Sequence, residues 1–169
     1  MEKIDLKTKR ILDACCGGKM FWFNKNHPDV LFVDNRVMEK QVIWRGKDGE
    51  QRQFEVKPDA VMDFRALDLP DGHFSLVVFD PPHLMTRNGK MGWMGKKYGS
   101  LDRVTWRDDL TLGFRECFRV LKPGGVMVFK WSEAEIPLSE VLKLTPERPL
   151  FGHPSGKAQG THWVTFMKS

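Results

Sequence analysis

The sequence predicts an α/β fold: a doubly wound, mostly parallel sheet with an antiparallel edge strand and an inserted β-hairpin. Three observations lead there. Short apolar runs alternate with turn residues and longer amphipathic stretches, the pattern of strands joined through crossovers. The runs are apolar nearly throughout instead of alternating, as in strands covered on both faces. The chain has 169 residues, 41% of them hydrophobic and 11% aromatic. That is enough for the core of one domain, residues 1–169, with little room for a second.

Residues 11–14 read as the first strand, running into Cys15, Cys16, Gly17 and Gly18. Residues 19–26, with Met20, Phe21 and Phe23, read as a short helix halted by Pro28. Residues 30–33 form the second strand, closed by Asp34, and residues 60–62 the third, closed by Asp63. Between them, residues 41–56 hold Asp48-Gly49 between β-prone runs, which signals a hairpin in place of a crossover helix. Residues 74–79 form a fourth strand, apolar apart from Ser75. Residues 106–121 place Leu110, Phe114, Cys117, Phe118 and Leu121 at helical spacing, and Lys122-Pro123-Gly124-Gly125 supplies helix-stop chemistry. Residues 126–129 form the fifth strand and 137–142 a short helix. Residues 144–148 and 163–167 are expected to pair as the antiparallel edge, with the polar stretch 151–163 a flexible loop at the far rim of the site.

The net charge is +5 and the pI about 9.2. Between residues 84 and 107 six cations stand against one anion, Asp102, a surplus equal to that of the whole chain. A local basic segment suits a polyanionic partner. No apolar run approaches the roughly 20 residues needed to cross a bilayer. Residues 1–5 lack the apolar stretch of a secretory signal. Three cysteines, two of them adjacent, make neither a disulfide framework nor zinc-binding spacing. No membrane and no metal are expected, and the expected location is cytoplasmic. His153 and His162 lack partners at metal-ligand spacing and read as surface or core histidines.

In an open parallel sheet, ligands sit beyond the carboxyl ends of the strands. Here those ends carry Asp13 through Gly18, then Asp34, Asp63 and finally Asp80-Pro81-Pro82-His83. One such acid alone reads as a helix cap; several around one crevice point to a nucleoside-like ligand. A carboxylate after the second strand can accept hydrogen bonds from ribose hydroxyls. The first turn fits neither Gly-x-Gly-x-x-Gly nor a Walker loop. A glycine turn without a full phosphate cradle suits a nucleoside lacking phosphates.

Together these motifs resemble the class I, Rossmann-like S-adenosylmethionine-dependent methyltransferases over nearly the whole chain. The resemblance implies S-adenosylmethionine as cofactor, held by Asp13, Ala14, Cys15, Cys16 and Gly17 of the first motif, Asp34 and Asn35 of the second, Asp63 and Phe64 of the third, and Asp80. Two departures stand out. Only ten residues precede the first strand, and the hairpin replaces the usual second helix. Cys15 and Cys16 could suggest a nucleophile of the kind used on cytosine C5, but that role belongs after the fourth strand, so both read as packing residues.

Asp80, Pro81, Pro82 and His83 resemble the Asp/Asn-Pro-Pro-aromatic motif of amino-methyltransferases, most often acting on adenine N6, and are the expected catalytic residues. A conjugated amino nitrogen is a poor nucleophile. An acid side chain and a proline carbonyl that accept its two hydrogens favour a pyramidal nitrogen aimed at the methyl donor. His83 stands where the aromatic residue would, which leaves the identity of the base open. Residues 84–105 form the expected substrate segment, a glycine-bearing loop in which Arg87, Lys90, Lys96 and Lys97 can meet phosphates and Trp93 and Tyr98 can stack. Trp131, Ser132 and Glu133 follow the fifth strand and are candidates for lining the pocket. The expected partner is RNA or DNA, with a protein partner or a second copy as an aid to target recognition. Two alternatives stay open: a small-molecule or protein N-methyltransferase on the same fold, and a non-catalytic binding relative.

Overall fold

In chain order the strands are β1 (Ile11–Asp13), β2 (Val30–Asp34), β3 (Met38–Arg45), β4 (Gln51–Val56), β5 (Ala60–Val61), β6 (Phe74–Phe79), β7 (Leu121–Ser132), β8 (Phe151–Ser155) and β9 (Thr161–Met167). The helices are α1 (Trp93–Tyr98), α2 (Trp106–Val120) and α3 (Leu138–Val141), the last continued by a 3-10 turn, Leu142–Leu144. They come from a computed structural model that describes residues 5–45, 47–86, 93–156 and 160–169. For residues 43, 44, 52, 93, 94 and 96 only the backbone is described.

Seven strands form one sheet in the order β5-β2-β1-β6-β7-β9-β8. The first five are parallel, and β9 runs antiparallel to β7. The chain works outward from β1 to β5, then returns to place β6 on the other side of β1. The order therefore reverses between β1 and β6, where a crevice opens at the strand ends. The doubly wound, mostly parallel sheet with an antiparallel edge is as the sequence predicts. So is the hairpin, a separate two-stranded sheet of β3 and β4 that starts at Met38.

The burial pattern explains the strands. All five residues of β2 are buried. Leu31 and Val33 join the main core, while Val30 and Phe32 join a smaller cluster with Cys16, Ile11 and Trp22. Helix α2 packs on the main core through Leu110, Phe114 and Cys117. A Cβ at Gly113 would stand 2.7 Å from the rings of Phe64 and Phe79, so this close helix–sheet contact requires glycine.

Four expectations are corrected. Residues 19–26 form successive turns, not a helix. Gly17 and Lys19 both adopt positive φ, and Trp22 turns inward to meet Phe32 edge-on at 5.2 Å. Burying the indole fixes this segment where helical spacing would not. The third strand pairs through only Ala60 and Val61. The fifth strand is longer than 126–129, running from Leu121 to Ser132. Its partners jump from Phe74↔Leu121 to Leu76↔Val126, so Lys122-Pro123-Gly124-Gly125 bulges out of the ladder without ending it. Finally, the edge partner of β9 is β8, not residues 144–148. The 3-10 turn through Leu144 and the missing N–H of Pro146 keep that earlier stretch out of a ladder, and much of the expected loop 151–163 is β structure instead.

The connection from β5 to β6 has no helix, and α2 supplies its hydrogen bonds. Glu116, buried, accepts from the Leu67 N–H at 2.9 Å. Arg119 donates to the carbonyls of Leu67 and Leu69 at 2.8 Å and bridges to Glu116 and Asp71. Removing the guanidinium leaves two carbonyls and a buried carboxylate short of partners. Arg119→Met is expected to lower stability by about 2–3 kcal/mol, read from the midpoint of urea unfolding at unchanged slope.

Candidate active site

A cavity of about 660 Å³ opens where the strand order reverses. Its walls come from the carboxyl ends of β1, β2, β6 and β7, from the segment after β6, and from Phe54 of the hairpin. Of the residues expected to hold a cofactor, Ala14, Cys15, Cys16, Gly17, Asp34, Asn35, Phe64 and Asp80 line it. Asp13 and Asp63 stand outside its wall.

The glycine turn is tightly held. Gly17 has φ +48°, a left-handed conformation that favours glycine. A Cβ at Gly18 would stand 2.5 Å from the Phe54 ring, so the hairpin sits directly on the turn. Gly17 donates its N–H to Asp34 Oδ2 at 2.9 Å. The rest of that carboxylate is taken by Arg36, whose backbone N and Nε each donate to Oδ1 at 3.0 Å and whose Nη2 reaches Oδ2 at 3.3 Å. The same Asp-x-Arg device recurs at the end of β5. Arg65 donates N and Nε to Asp63 Oδ1 at 2.9 Å and Nη2 to Oδ2 at 2.6 Å. These bonds, the guanidinium's first, hold the Asp63 carboxyl below the usual carboxylate range.

Asp13 lies beneath the turn, fully buried, with the Trp22 indole N–H on its Oδ2 at 2.7 Å. Burial outweighs that hydrogen bond and pushes its pKa up to about 7. Burial also pushes the Cys15, Cys16 and Cys117 thiols up, which suits packing and not nucleophilic attack.

On the opposite wall, Phe79 pairs with Phe129, so Asp80 emerges beside Lys130. Lys130 Nζ donates to Asp80 Oδ2 at 2.7 Å. Burial raises the Asp80 carboxyl, and the Lys130 charge works against that rise. The ammonium also sits 5.6 Å from the Phe21 ring centroid and 5.7 Å from that of Trp163. Pro81 is buried, and Pro82 packs so closely on Gly99 that a Cβ there would meet its ring at 2.8 Å. Burial holds the His83 imidazole below its ordinary pKa. Its ring centroid stands 6.4 Å from those of Tyr98 and Trp131.

The segment 84–105 leaves and rejoins the core at one point. Leu101 donates to the Leu84 carbonyl at 2.8 Å and Thr86 to the Leu101 carbonyl at 2.9 Å. Short helix α1 lies within this closed segment and delivers Lys97 and Tyr98 to the cavity. Of the other expected substrate residues, Arg87 and Lys90 lie outside the described residues, as do the side chains of Trp93 and Lys96. Among the described cations of this segment, two are engaged locally. Arg103 pairs with Glu135 and the Thr86 carbonyl, and Arg107 lies 4.3 Å over the Trp106 ring.

Lys130, Arg36 and Phe54 were not singled out in the sequence. Lys130 carried a signal: a lysine between Phe129 and Trp131 in an apolar strand. Ser132 lines the cavity as the sequence suggested, and Thr161 joins it from β9. His162 Nε2 lies 3.0 Å from Glu133 Oε2. Among the described residues no three His, Cys, Asp or Glu side chains gather as a metal site would need.

No protein-family model and no curated protein matches the chain. Solved structures do share its fold. A protein from Pyrococcus horikoshii OT3 superposes with a TM-score of 0.56 at 16% identity, over 94% of this chain and 81% of that one. A SAM-dependent methyltransferase from Leishmania major gives 0.53 at 13% identity, over 99% and 67%. Another, from Methanosarcina mazei, gives 0.50 at 12% identity, over 96% and 94%. The chain thus has the fold of SAM-dependent methyltransferases.

Asp13 links the site to stability. With its native pKa raised to about 7 from an ordinary 3.8, the folded state keeps a proton that the unfolded chain releases at lower pH. Its contribution is therefore full below about pH 4 and is lost as pH rises to about 7. The melting temperature of the wild type is expected to fall over that window relative to Asp13→Asn, measured by differential scanning calorimetry across pH 4–8.

Proposed function

We propose that the protein transfers a methyl group from S-adenosylmethionine to an exocyclic amino nitrogen of a nucleic-acid base, adenine N6 by preference. One observation carries the reading. Asp80-Pro81-Pro82-His83 and the glycine turn before β2 line the same cavity, at the point where the strand order reverses.

The residues present fit the cofactor. The cavity's 660 Å³ falls within the ~300–1,000 Å³ of small-molecule sites. Ala14 and Phe64 offer an apolar wall for an adenine ring, and Asp34 offers the acceptor for ribose hydroxyls. All of the Asp34 oxygens' lone pairs are engaged by Gly17 and Arg36. Holding the ribose therefore means that Asp34 exchanges Arg36 bonds for hydroxyls. When bound, S-adenosylmethionine supplies an electrophilic methyl on a sulfonium.

The chain's own groups then prepare the nucleophile. Lys130 occupies Asp80 Oδ2 and favours the ionised, acceptor-only carboxylate. Oδ1 and the Pro81 carbonyl accept hydrogen bonds from the two amino hydrogens, which frees the nitrogen lone pair for the methyl, and Asp80 is placed to accept the one proton that the methylated nitrogen releases. The two prolines stiffen these acceptors, with Pro82 braced on Gly99. His83 and Tyr98, with ring centroids 6.4 Å apart and planes tilted by 37°, form one aromatic corner of the cavity, on which a planar base drawn out of its stack can rest. Held below its ordinary pKa, the imidazole stays neutral near pH 7 and can stack or accept a hydrogen bond.

A small-molecule amine as substrate is the second reading, favoured by a cavity whose volume of about 660 Å³ is that of an ordinary small-molecule site. Labelled methyl offered to total RNA, genomic DNA and metabolite extract separates the two: nucleic-acid label supports the first reading, and label confined to metabolites refutes it. Asp80→Ala is expected to cut transfer by about 10²–10³-fold, the usual scale for one transition-state hydrogen-bond partner, while cofactor affinity by calorimetry changes little. Lys130→Met removes the charge that opposes protonation of Asp80. Its acid limb of kcat is expected to move to higher pH than that of the wild type; coincident limbs would exclude this role for Lys130.

A further inference from the structure

We infer that the cleft between the β3–β4 hairpin and the turn at residues 18–25 carries the sugar–phosphate backbone of a single nucleic-acid strand into the active site. The inference rests on the nucleic-acid reading above and names where the polymer would lie.

The cleft has a volume of about 390 Å³ and shares Gly18, Met20, Phe54 and Lys97 with the main cavity, so the two adjoin. Its charge is one-sided. Lys25 stands on the turn, Lys40 on the hairpin and Lys97 at the junction, against one carboxylate, Glu55. The walls are braced. Phe54 presses on Gly18 from the hairpin side, and Lys25 Nζ donates to the Gly18 carbonyl at 3.2 Å from the other. Lys97 Nζ donates to the Tyr98 hydroxyl at 2.8 Å, which places an ammonium beside the aromatic corner that Tyr98 forms with His83.

A small amine substrate gives no reason for cations that continue past the reacting group. A strand with one charge per nucleotide does: a phosphate flanking the target meets Lys97, and its neighbours meet Lys25 and Lys40. A cleft of this volume, walled on two sides, admits one strand and not a duplex. Backbone contacts of this kind position the polymer without reading its sequence.

Binding of fluorescent 20-mer single-stranded DNA and RNA, followed by anisotropy over a series of KCl concentrations, tests the inference. The wild type is expected to bind more weakly as salt rises. For Lys25→Gln/Lys40→Gln, loss of two phosphate contacts should make the slope of log K against log[salt] shallower by about 1.4, at ~0.7 per contact on a single strand. Lys40→Gln alone, which leaves the Lys25–Gly18 hydrogen bond in place, should show about half that change and guards against a folding effect at Lys25. Lys57→Gln, an exposed lysine just beyond β4 and outside the cleft, should leave the slope unchanged. A steep wild-type slope that both cleft variants retain, or that Lys57→Gln lowers equally, overturns the cleft while leaving the proposed function standing. A wild type with no salt-dependent binding to either polymer overturns both.

Discussion

The site depends on one ion pair, and the ion pair depends on strand register. Phe79 opposite Phe129 puts Asp80 and Lys130 side by side at the ends of two central parallel strands. Burial alone drives the Asp80 carboxyl toward its neutral form, which would turn a two-lone-pair acceptor into a donor. The lysine 2.7 Å away opposes that change. A slip of one residue between β6 and β7 would send Lys130 to the other face of the sheet, leaving a desolvated acid with no counter-charge. The rings of Phe79, Phe114 and Phe129, in mutual contact at 5.0–5.7 Å, resist such a slip. The apolar core under α2 thereby sets the chemistry of the cavity floor.

Much of this was legible because it is local. Apolar strands with acids at their ends, the Asp48-Gly49 hairpin and the amphipathic run of α2 each carry their signal within a few residues. What failed to read was set by distant partners. Residues 19–26 have the composition of a helix, yet Trp22 gains more by closing over Phe32 and Asp13. Within the basic segment 84–107, Arg103 finds its partner in Glu135, 32 residues on. Lys130 and Arg36 acquire meaning only when strand ends meet across the sheet.

The two Asp-x-Arg turns show how the crevice keeps its acids ready without leaving them bare. Asp34 is buried and Asp63 partly so; without partners their desolvation would be costly. A residue two positions on supplies both a backbone N–H and a guanidinium fork, so each acid takes most of its hydrogen bonds from its own loop, with Gly17 adding one to Asp34 and Asn35 one to Asp63. The two are not equivalent. Arg65 is pinned further by Asp109 on α2 at 2.8 Å, whereas Arg36 reaches across to the Lys97 carbonyl at the end of α1. Asp34 is therefore tied through one side chain to the segment that presents Tyr98, and the ligand-facing side of the sheet is connected to the substrate-facing side.

The inserted hairpin is best understood through what it replaces. A crossover helix between β2 and β5 would cover the sheet with a continuous apolar stripe. The hairpin covers less and reaches further, because its two strands need only each other for backbone hydrogen bonds. Among the described side chains of β4, Phe54 and Val56 are the buried ones. Phe54 is spent on the glycine turn, which locks the loop under the cavity, while Lys40 and Gln53 remain directed to a cleft. A helix in that place would bury its inner face against β2 and leave no second wall for the turn at residues 18–25. Trading a helix for a hairpin thus gives the cavity at the strand ends an adjoining cleft, walled by the turn on one side and by the hairpin on the other.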